Sequence, residues 1–320
     1  MRWPIFTLLL SGATLGNKLP MLRGKTFLVT GSTDGIGQHT ALLLAKSGAN
    51  VLLHGRSWDR LQKTKNFINE QLDPELRVLS NESIKCYCSD LQSLAGAKNL
   101  AIEILQSNGR LDGLINNAGV FQESLIITED GLESTFAVNV CAPYILICLL
   151  LPLLRRTKQS KILNVSSISQ SGSLQLDNLD YQHGGFSSYS SYGFSKLCIA
   201  AMSHELAMRI STEEALVMSC DPGTVNTKML LAGWGYCGIS IEVEIEVYYT
   251  ILYLHCSLHL MNCKNFIFLL VCIQLINSLM LIRYYLFYFY CVFLCTYTPM
   301  IDLRLRQIVF FWKYVQYVCM

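Results

Sequence analysis

The sequence predicts an α/β protein with a doubly wound parallel sheet and helices on both faces. Short β-favouring runs alternate with helical stretches six times, and a glycine-rich turn joins the first strand to the first helix. A third observation confines this fold to part of the chain, because residues 247–301 are strongly apolar and contain only two charged side chains. We therefore divide the chain into an N-terminal leader at 1–21, an α/β domain at 22–240 and an atypical hydrophobic C-terminal tail at 241–320.

The composition argues against nucleic-acid and metal binding. With a formal net charge of +2 and 15% charged residues, the chain carries no basic footprint for nucleic acid. Its 13 cysteines form no spaced framework, and Cys86 and Cys88 lie too far from other cysteine and histidine pairs to suggest a zinc site. We expect free thiols in a reducing compartment and no metal ion.

The glycine-rich turn lies between the predicted strand 27–29 and the helical stretch 40–45, with the spacing G-x-x-x-G-x-G. Gly31 permits the tight turn, Gly35 lets a cofactor approach the backbone, and Gly37 lets the helix pack on the strand. Backbone N–H groups at the helix N-terminus then face a phosphate. A glycine turn without a ligand is the alternative. The predicted cofactor contacts here are Gly31, Ser32, Asp34, Gly35, Ile36 and Gly37.

The ends of the second and third strands bear on which dinucleotide is bound. The second strand, 50–54, is followed by Arg56 rather than by the acidic residue that would bind the ribose 2′-hydroxyl of NAD. A guanidinium suits a 2′-phosphate, so Arg56 favours NADP, with NAD or a merely solvated arginine as alternatives. The third strand, 83–88, is followed by Asp90, which either contacts the adenine edge or caps the helix 93–107.

The fourth strand, 111–115, is followed by small residues that suit a close approach of the cofactor, Asn117, Ala118 and Gly119. A helix over 129–154 comes next, with a kink or interruption near Pro143. Asn139 lies within its apolar stretch, and a polar side chain there needs a partner if it is buried.

The residues that carry acid–base chemistry follow the fifth strand, 161–165. Tyr192 and Lys196 are four apart in a predicted helix, 189–210, so they share a face. A neighbouring ammonium lowers the pKa of a phenol, and such a pair can move a proton to or from an alcohol or carbonyl. A serine hydroxyl can hold the substrate oxygen. Ser167 is our choice, with Ser166 as its close competitor.

Four motifs, taken in order, resemble those of the short-chain dehydrogenase/reductase (SDR) family. They are Thr30-Gly-x-x-x-Gly35-Ile-Gly37, Asn116-Asn-Ala-Gly119, Tyr192-x-x-x-Lys196, and Pro222-Gly223 after the sixth strand at 215–220. The resemblance covers about residues 22–240. It implies a Rossmann fold and hydride transfer between NAD(P)H and a carbonyl compound.

The resemblance also implies a role for each matching residue. Tyr192 would be the acid/base, Lys196 would bind the nicotinamide ribose and lower the pKa of the tyrosine, and Ser167 would orient the substrate. Asn139 would hold a water that links Lys196 to solvent. Cofactor contacts would come from Asn117 and Gly119 on the adenosine side, from Asp90 at the adenine, and at the carboxamide or phosphates from the stretch after the sixth strand, Pro222, Gly223, Thr224 and Thr227.

A long loop between Ser167 and Tyr192 is similar to that of the retinol-dehydrogenase-like and WW-domain-oxidoreductase-like branch of the family. This similarity implies lipophilic, retinoid- or steroid-like alcohol/carbonyl substrates. Together with the NADP preference taken from Arg56, it predicts an NADP(H)-dependent oxidoreductase of small or lipophilic substrates. Family members commonly form homodimers through helices equivalent to 129–154 and 189–210, so a homodimer is expected here too.

The tail leaves two interpretations open. Residues 265–282 and 284–301 are uncharged runs just long enough to span a membrane, which predicts membrane association through 265–301. Otherwise the protein is cytoplasmic, and the tail resembles translated non-coding sequence that replaces the family's final strand. Loss of that strand would expose a sheet edge. The alternative function is therefore a truncated, non-catalytic nucleotide-binding protein.

Overall fold

The computed structural model describes residues 22–171, 178, 181, 183–235 and 238. The predicted leader and tail, with both predicted membrane segments and the question of a final strand, lie outside these residues. Six strands form one parallel sheet in the order β3-β2-β1-β4-β5-β6, the order of the Rossmann fold. The prediction of a doubly wound sheet is confirmed. The strands are β1 (Thr26–Val29), β2 (Asn50–Gly55), β3 (Ile84–Cys88), β4 (Gly113–Asn116), β5 (Ser160–Val165) and β6 (Ala215–Cys220).

Seven helices accompany these strands in the described part of the chain. Two of them, α3 and α7, were not predicted, and Ser83 ends α3 instead of starting the third strand. The side chain of Ser93 caps α4 by accepting the N–H of Gly96, so Asp90 does not cap it. The helices are α1 (Gly35–Lys46), α2 (Trp58–Gln71), α3 (Pro74–Ser83), α4 (Leu94–Ser107), α5 (Ser134–Arg156), α6 (Ser188–Arg209) and α7 (Lys228–Trp234).

The strands bury both faces of the sheet because neighbouring side chains of a strand point to opposite sides. Leu28 of β1 packs into a core beneath α4, α5 and α6, whereas Val29 packs into a second core beneath α1 and α2. The same alternation divides Leu52 from Leu53 in β2. Among the described residues, the faces of the sheet are therefore covered and its strand ends are open to ligands.

Helix α5 differs from its prediction at both ends and contains the predicted interruption. It begins at Ser134 rather than at 129, and it ends at Arg156. The predicted interruption near Pro143 takes the form of a π-helical turn, Ala137–Cys141, just before it. Proline has no N–H, so the carbonyl of Asn139 lacks its regular helical donor and the turn can widen.

Helix α5 is the one helix in the described ranges that is long and apolar enough to cross a membrane, by length and composition alone. In the folded chain 78% of its apolar stretch is buried. The helix packs against α4 and the sheet, so the core accounts for its apolar sequence.

Candidate active site

The first turns of α6 carry the predicted acid–base pair next to the end of β5. The Nζ of Lys196 lies 5.5 Å from the ring centroid of Tyr192 and donates a hydrogen bond to the carbonyl of Val165 at 2.9 Å. The hydroxyl of Ser167 lies close enough to the phenol of Tyr192 to lower its pKa. The fold thus brings together Ser167, Tyr192 and Lys196 from two elements that are distant in sequence.

The two candidate serines have different surroundings. Ser166 is buried, and its Oγ donates to the carbonyl of Lys196 at 2.9 Å, which fixes the backbone of α6. Ser167 accepts the N–H of Ser169 and reaches the phenol of Tyr192. The geometry therefore favours Ser167 as the group that would hold a substrate oxygen.

Burial moves both pKa values of the acid–base pair. It raises the pKa of Tyr192 to about 12, with Ser167 lowering it and the charge of Asp221 raising it. Burial also lowers the pKa of Lys196 to about 8, against the opposing charges of Cys220 and Asp221. The ammonium of Lys196 is directed to the carbonyl of Val165, and burial is the largest cause of the raised tyrosine pKa. The role of Lys196 in lowering the pKa of Tyr192 stays a prediction.

Asn139 has the partners that its burial requires. Its Oδ1 accepts the N–H of Val120 at 2.8 Å, and its Nδ2 donates to the carbonyl of Val120 at 3.1 Å and to the hydroxyl of Ser195 at 2.9 Å. The amide therefore joins the loop after β4 to α6. The predicted role of Asn139 in holding a water remains a prediction.

The glycine turn has the backbone that a phosphate site needs. Gly31 and Gly35 adopt left-handed φ angles of +63° and +52°. A Cβ at Gly37 would lie 2.3 Å from the carbonyl oxygen of Gly31, so only glycine fits there. Asp34 caps α1 at the N–H of Gly35, and within the described residues no acceptor meets the N–H groups of Ile36 and Gly37. These open donors at a helix N-terminus suit a pyrophosphate.

Some predicted cofactor contacts serve the protein itself. The Oγ of Ser32 hydrogen-bonds to the backbone of His54, and the Nδ2 of Asn117 donates to the carbonyls of Thr30 and Gly31. The backbone N–H of Ala118 donates to the hydroxyl of Thr30. These hydrogen bonds of Ser32, Asn117 and Ala118 stabilise the glycine turn.

Gly119 lies at the catalytic end of the site rather than on the adenosine side. A Cβ on Gly119 would be 3.4 Å from the Oδ1 of Asn139 and 3.5 Å from the Nζ of Lys196. This position corrects our expectation for Gly119. Its physical reason is that the loop after β4 is held to α6 by Asn139.

The adenosine end of the site is formed by the ends of β2 and β3. Arg56 and Asp90 are both exposed there, and Asp90 accepts the N–H of Gln92 at 3.0 Å. Sequence reasoning missed Arg60, whose guanidinium binds Asp34 at 3.1 Å and so lies beside the glycine turn. Its place only four residues after Arg56, in the first turn of α2, is the signal that could have indicated it.

The segment after β6 reaches back to the glycine turn. The N–H of Gly223, which follows Pro222, donates to Asp221, and Thr224 is exposed. Thr227 caps α7 through the N–H of Leu230, and its methyl group would meet a Cβ on Gly35 at 3.2 Å. Lys228, also missed, forms an ion pair with Asp34. Burial raises the pKa of Asp34, but Lys228, the N–H of Gly35 and the charge of Arg60 together outweigh it, so the pKa is lowered.

A buried histidine supports the glycine turn. His54, at 3% exposure, accepts the N–H of Gly31 at its Nδ1 and lies 3.2 Å from the carbonyl of Ser89 through its Nε2. Because a carbonyl can only accept, Nε2 carries the proton. Burial lowers the pKa of His54 to about 4, so the ring is neutral. A polar ring within an apolar strand was the available signal, since such a ring needs partners.

Aromatic side chains pack around Tyr192. The rings of Phe121 and Trp234 lie 5.8 and 5.6 Å from that of Tyr192, and 5.0 Å from each other. Tyr189 packs edge-on to both, with centroids 5.3 Å away. These residues come from three separate segments, and sequence reasoning did not group them. They give the catalytic end of the site an apolar wall.

The sheet order, the glycine turn and the Tyr192–Lys196 pair define a dinucleotide-binding α/β class of oxidoreductases. The family model described as short chain dehydrogenase matches residues 25–232. The chain belongs to the short-chain dehydrogenase family.

Curated relatives and solved structures agree with this assignment. The chain is 34% identical to human retinol dehydrogenase 13 over 208 residues, which cover 64% of this chain and 60% of that protein. It is 32% identical over 221 residues to the WW domain-containing oxidoreductase of Gallus gallus, covering 67% and 52% of the two chains. It thus spans less than two thirds of these relatives. The RhlG/NADP complex of Pseudomonas aeruginosa is 26% identical, with a TM-score of 0.57 over 72% of this chain and 90% of that one.

Proposed function

We propose that the protein is an NADP(H)-dependent oxidoreductase that transfers a hydride between the nicotinamide and an alcohol/carbonyl substrate. The observation that carries the proposal is the joint placement of Ser167, Tyr192 and Lys196 at the carboxyl ends of the strands, where the glycine turn also lies. When bound, the nicotinamide supplies the hydride to a carbonyl carbon or accepts it from an alcohol.

The protein's own residues bind the substrate oxygen and transfer its proton. In reduction, Ser167 donates a hydrogen bond to the carbonyl oxygen, and the phenol of Tyr192 gives that oxygen its proton. The buried ammonium of Lys196 stabilises the phenolate that remains. In oxidation the same proton returns from the alcohol to Tyr192.

NADP is the cofactor that the charges favour over NAD. Arg56 follows β2 at the adenosine end, and the Asp34 carboxylate of the glycine turn is paired with Arg60 and Lys228. The net positive charge suits a 2′-phosphate. The similarity to RhlG, which was solved as an NADP complex, supports the same choice.

The substrate is lipophilic, retinoid- or steroid-like. Phe121, Tyr189 and Trp234 offer an apolar surface beside the reacting phenol. The relatives named retinol dehydrogenase support this class. A homodimer through α5 and α6 and a cytoplasmic or membrane-associated location remain predictions, which sedimentation and membrane extraction of the full chain would test.

The test is an NADPH titration of the full-length protein followed by reduction of all-trans-retinal. Tyr192→Phe should abolish turnover and leave the NADPH affinity unchanged, because the phenol is the proton donor. Tyr87→Phe removes another buried phenol, which hydrogen-bonds to Ser107, and should keep turnover. Retained turnover in Tyr192→Phe would refute the mechanism. NADPH binding by a wild-type protein without turnover on any carbonyl would support the non-catalytic alternative.

A further inference from the structure

Glu133 is a buried carboxylate that the proposed reaction does not use. It is 1% exposed and lies just before α5. Its two oxygens accept the N–H groups of Thr135 and Phe136 at 2.8 and 2.9 Å. None of the ion pairs in the described residues includes it. A buried carboxylate without a counter-ion must be satisfied by hydrogen bonds.

A third hydrogen bond takes Glu133 out of its own helix. The hydroxyl of Ser191, which directly precedes Tyr192, donates to the Oε2 of Glu133 at 2.8 Å. Ser191 is 2% exposed, so water does not compete for this bond. A serine or aspartate would suffice to cap α5. The longer glutamate side chain also reaches α6.

Asn139 makes a second bridge between the same two helices. Its Nδ2 donates to the hydroxyl of Ser195, and that hydroxyl donates to the carbonyl of Tyr192 at 2.7 Å. Ser191 and Ser195 are four apart, so both face α5. The two bridges from α5 therefore hold α6 on either side of Tyr192.

We propose that Glu133 is a positioning residue that acts through Ser191 to fix the first turn of α6 and keep Tyr192 in place against Ser167 and Lys196. The inference rests on the proposed function, because it concerns the same site. Small displacements of a reacting group lower the rate of the chemical step more than they weaken binding. The effect should therefore fall on kcat.

Ser191→Ala in the full-length protein is the sharpest variant, because it removes the bridge and leaves the cap of α5 intact. In NADPH-linked reduction of all-trans-retinal we expect kcat to fall about fivefold, the equivalent of one hydrogen bond. The KM for retinal and the Kd for NADPH should stay unchanged. The control is Ser203→Ala, another buried serine of α6, which bonds to Ile199 and Asn164 and should keep kcat.

Glu133→Gln tests whether the glutamate works through the serine. This variant also disturbs the cap, because the NH2 of the glutamine amide replaces an oxygen that accepts a backbone N–H. If the proposal holds, the double variant Glu133→Gln/Ser191→Ala loses no more kcat than the worse single variant. Losses that multiply would contradict it.

Hydrogen exchange of the peptide 188–196 tests the bridge without turnover. Exchange should be faster in Ser191→Ala than in wild type and unchanged in Ser203→Ala. It should also be unchanged in Tyr181→Phe, which removes a phenol close to Ser191 and leaves the bond between Ser191 and Glu133 in place. Unchanged exchange in Ser191→Ala, or faster exchange with a wild-type kcat, would overturn the proposal. If the wild type reduces no carbonyl, the proposed function fails, and the exchange result alone decides whether Glu133 fixes this turn.

Discussion

The buried imidazole of His54 should make the folded chain sensitive to mild acid. Its pKa is lowered from 6.5 to about 4 because burial disfavours the charged ring. Above pH 6.5 the ring is neutral in both the folded and the unfolded chain, so the stabilisation is fully present. Between pH 6.5 and 4 the unfolded chain binds the proton first, so stability is lost as the pH falls.

The size of this loss follows from the two pKa values. At pH 5 the unfolded imidazole is almost fully protonated and the folded one is mostly neutral, which lowers the free energy of unfolding by about 2 kcal/mol relative to pH 8. In His54→Asn the amide oxygen can still accept the N–H of Gly31, but nothing titrates. The variant should therefore be less stable throughout and should lack this part of the pH dependence.

Urea unfolding of the full-length protein at pH 8 and pH 5 measures the difference. Carboxylates also contribute to acid sensitivity, so the comparison between wild type and variant isolates His54. His39→Asn makes the same replacement in a partly exposed histidine of α1 and serves as the control. An equal loss between the two pH values in wild type and in His54→Asn would refute the reasoning.

Three further predictions concern the cofactor turn and the acid–base pair. Gly37→Ala should cost about 1–3 kcal/mol of stability and weaken NADPH binding, because its Cβ would collide with Gly31 and Asn117. In the control Gly109→Ala the new Cβ meets open space, so neither quantity should change. Equal melting temperatures and NADPH affinities in the two variants would contradict this prediction. Arg56→Asp should weaken binding of NADPH more than of NADH, and Lys63→Asp, farther along α2, should not discriminate; equal losses in Arg56→Asp would count against the assignment. Ser167 lowers the pKa of Tyr192 and Asp221 raises it. In NADP⁺-linked oxidation of retinol, the pH at which the rate rises should therefore move up in Ser167→Ala and down in Asp221→Asn. Shifts in the same direction would disprove this account.

The sequence was sufficient to predict the strands, because each strand is a short apolar run between a helix and a turn. The glycine turn and the Tyr192–Lys196 pair were also predictable, since their spacing within one element determines their geometry. The start of α5 could not be predicted, because the chain before Ser134 forms a turn closed by a β-bridge between Ile127 and Glu133. Such pairing depends on the folded neighbours.

The supporting residues of the site were missed for a related reason. His54 lies in a strand and Glu133 at a helix start, and neither belongs to a recognisable motif. Their partners are distant in sequence: Gly31 and Ser89 for the histidine, Ser191 for the glutamate. Only the fold shows that these polar groups meet.

Helix α7 has no buried residue of its own and is held at its two ends. Thr227 at one end lies against Gly35 of the cofactor turn, and Trp234 at the other lies against Tyr192. If a ligand displaces one end and the short helix moves as a unit, the free energy of a ligand at the other end changes as well. Thermodynamic linkage makes such an effect reciprocal, so we expect the affinities for the proposed cofactor and substrate to depend on each other.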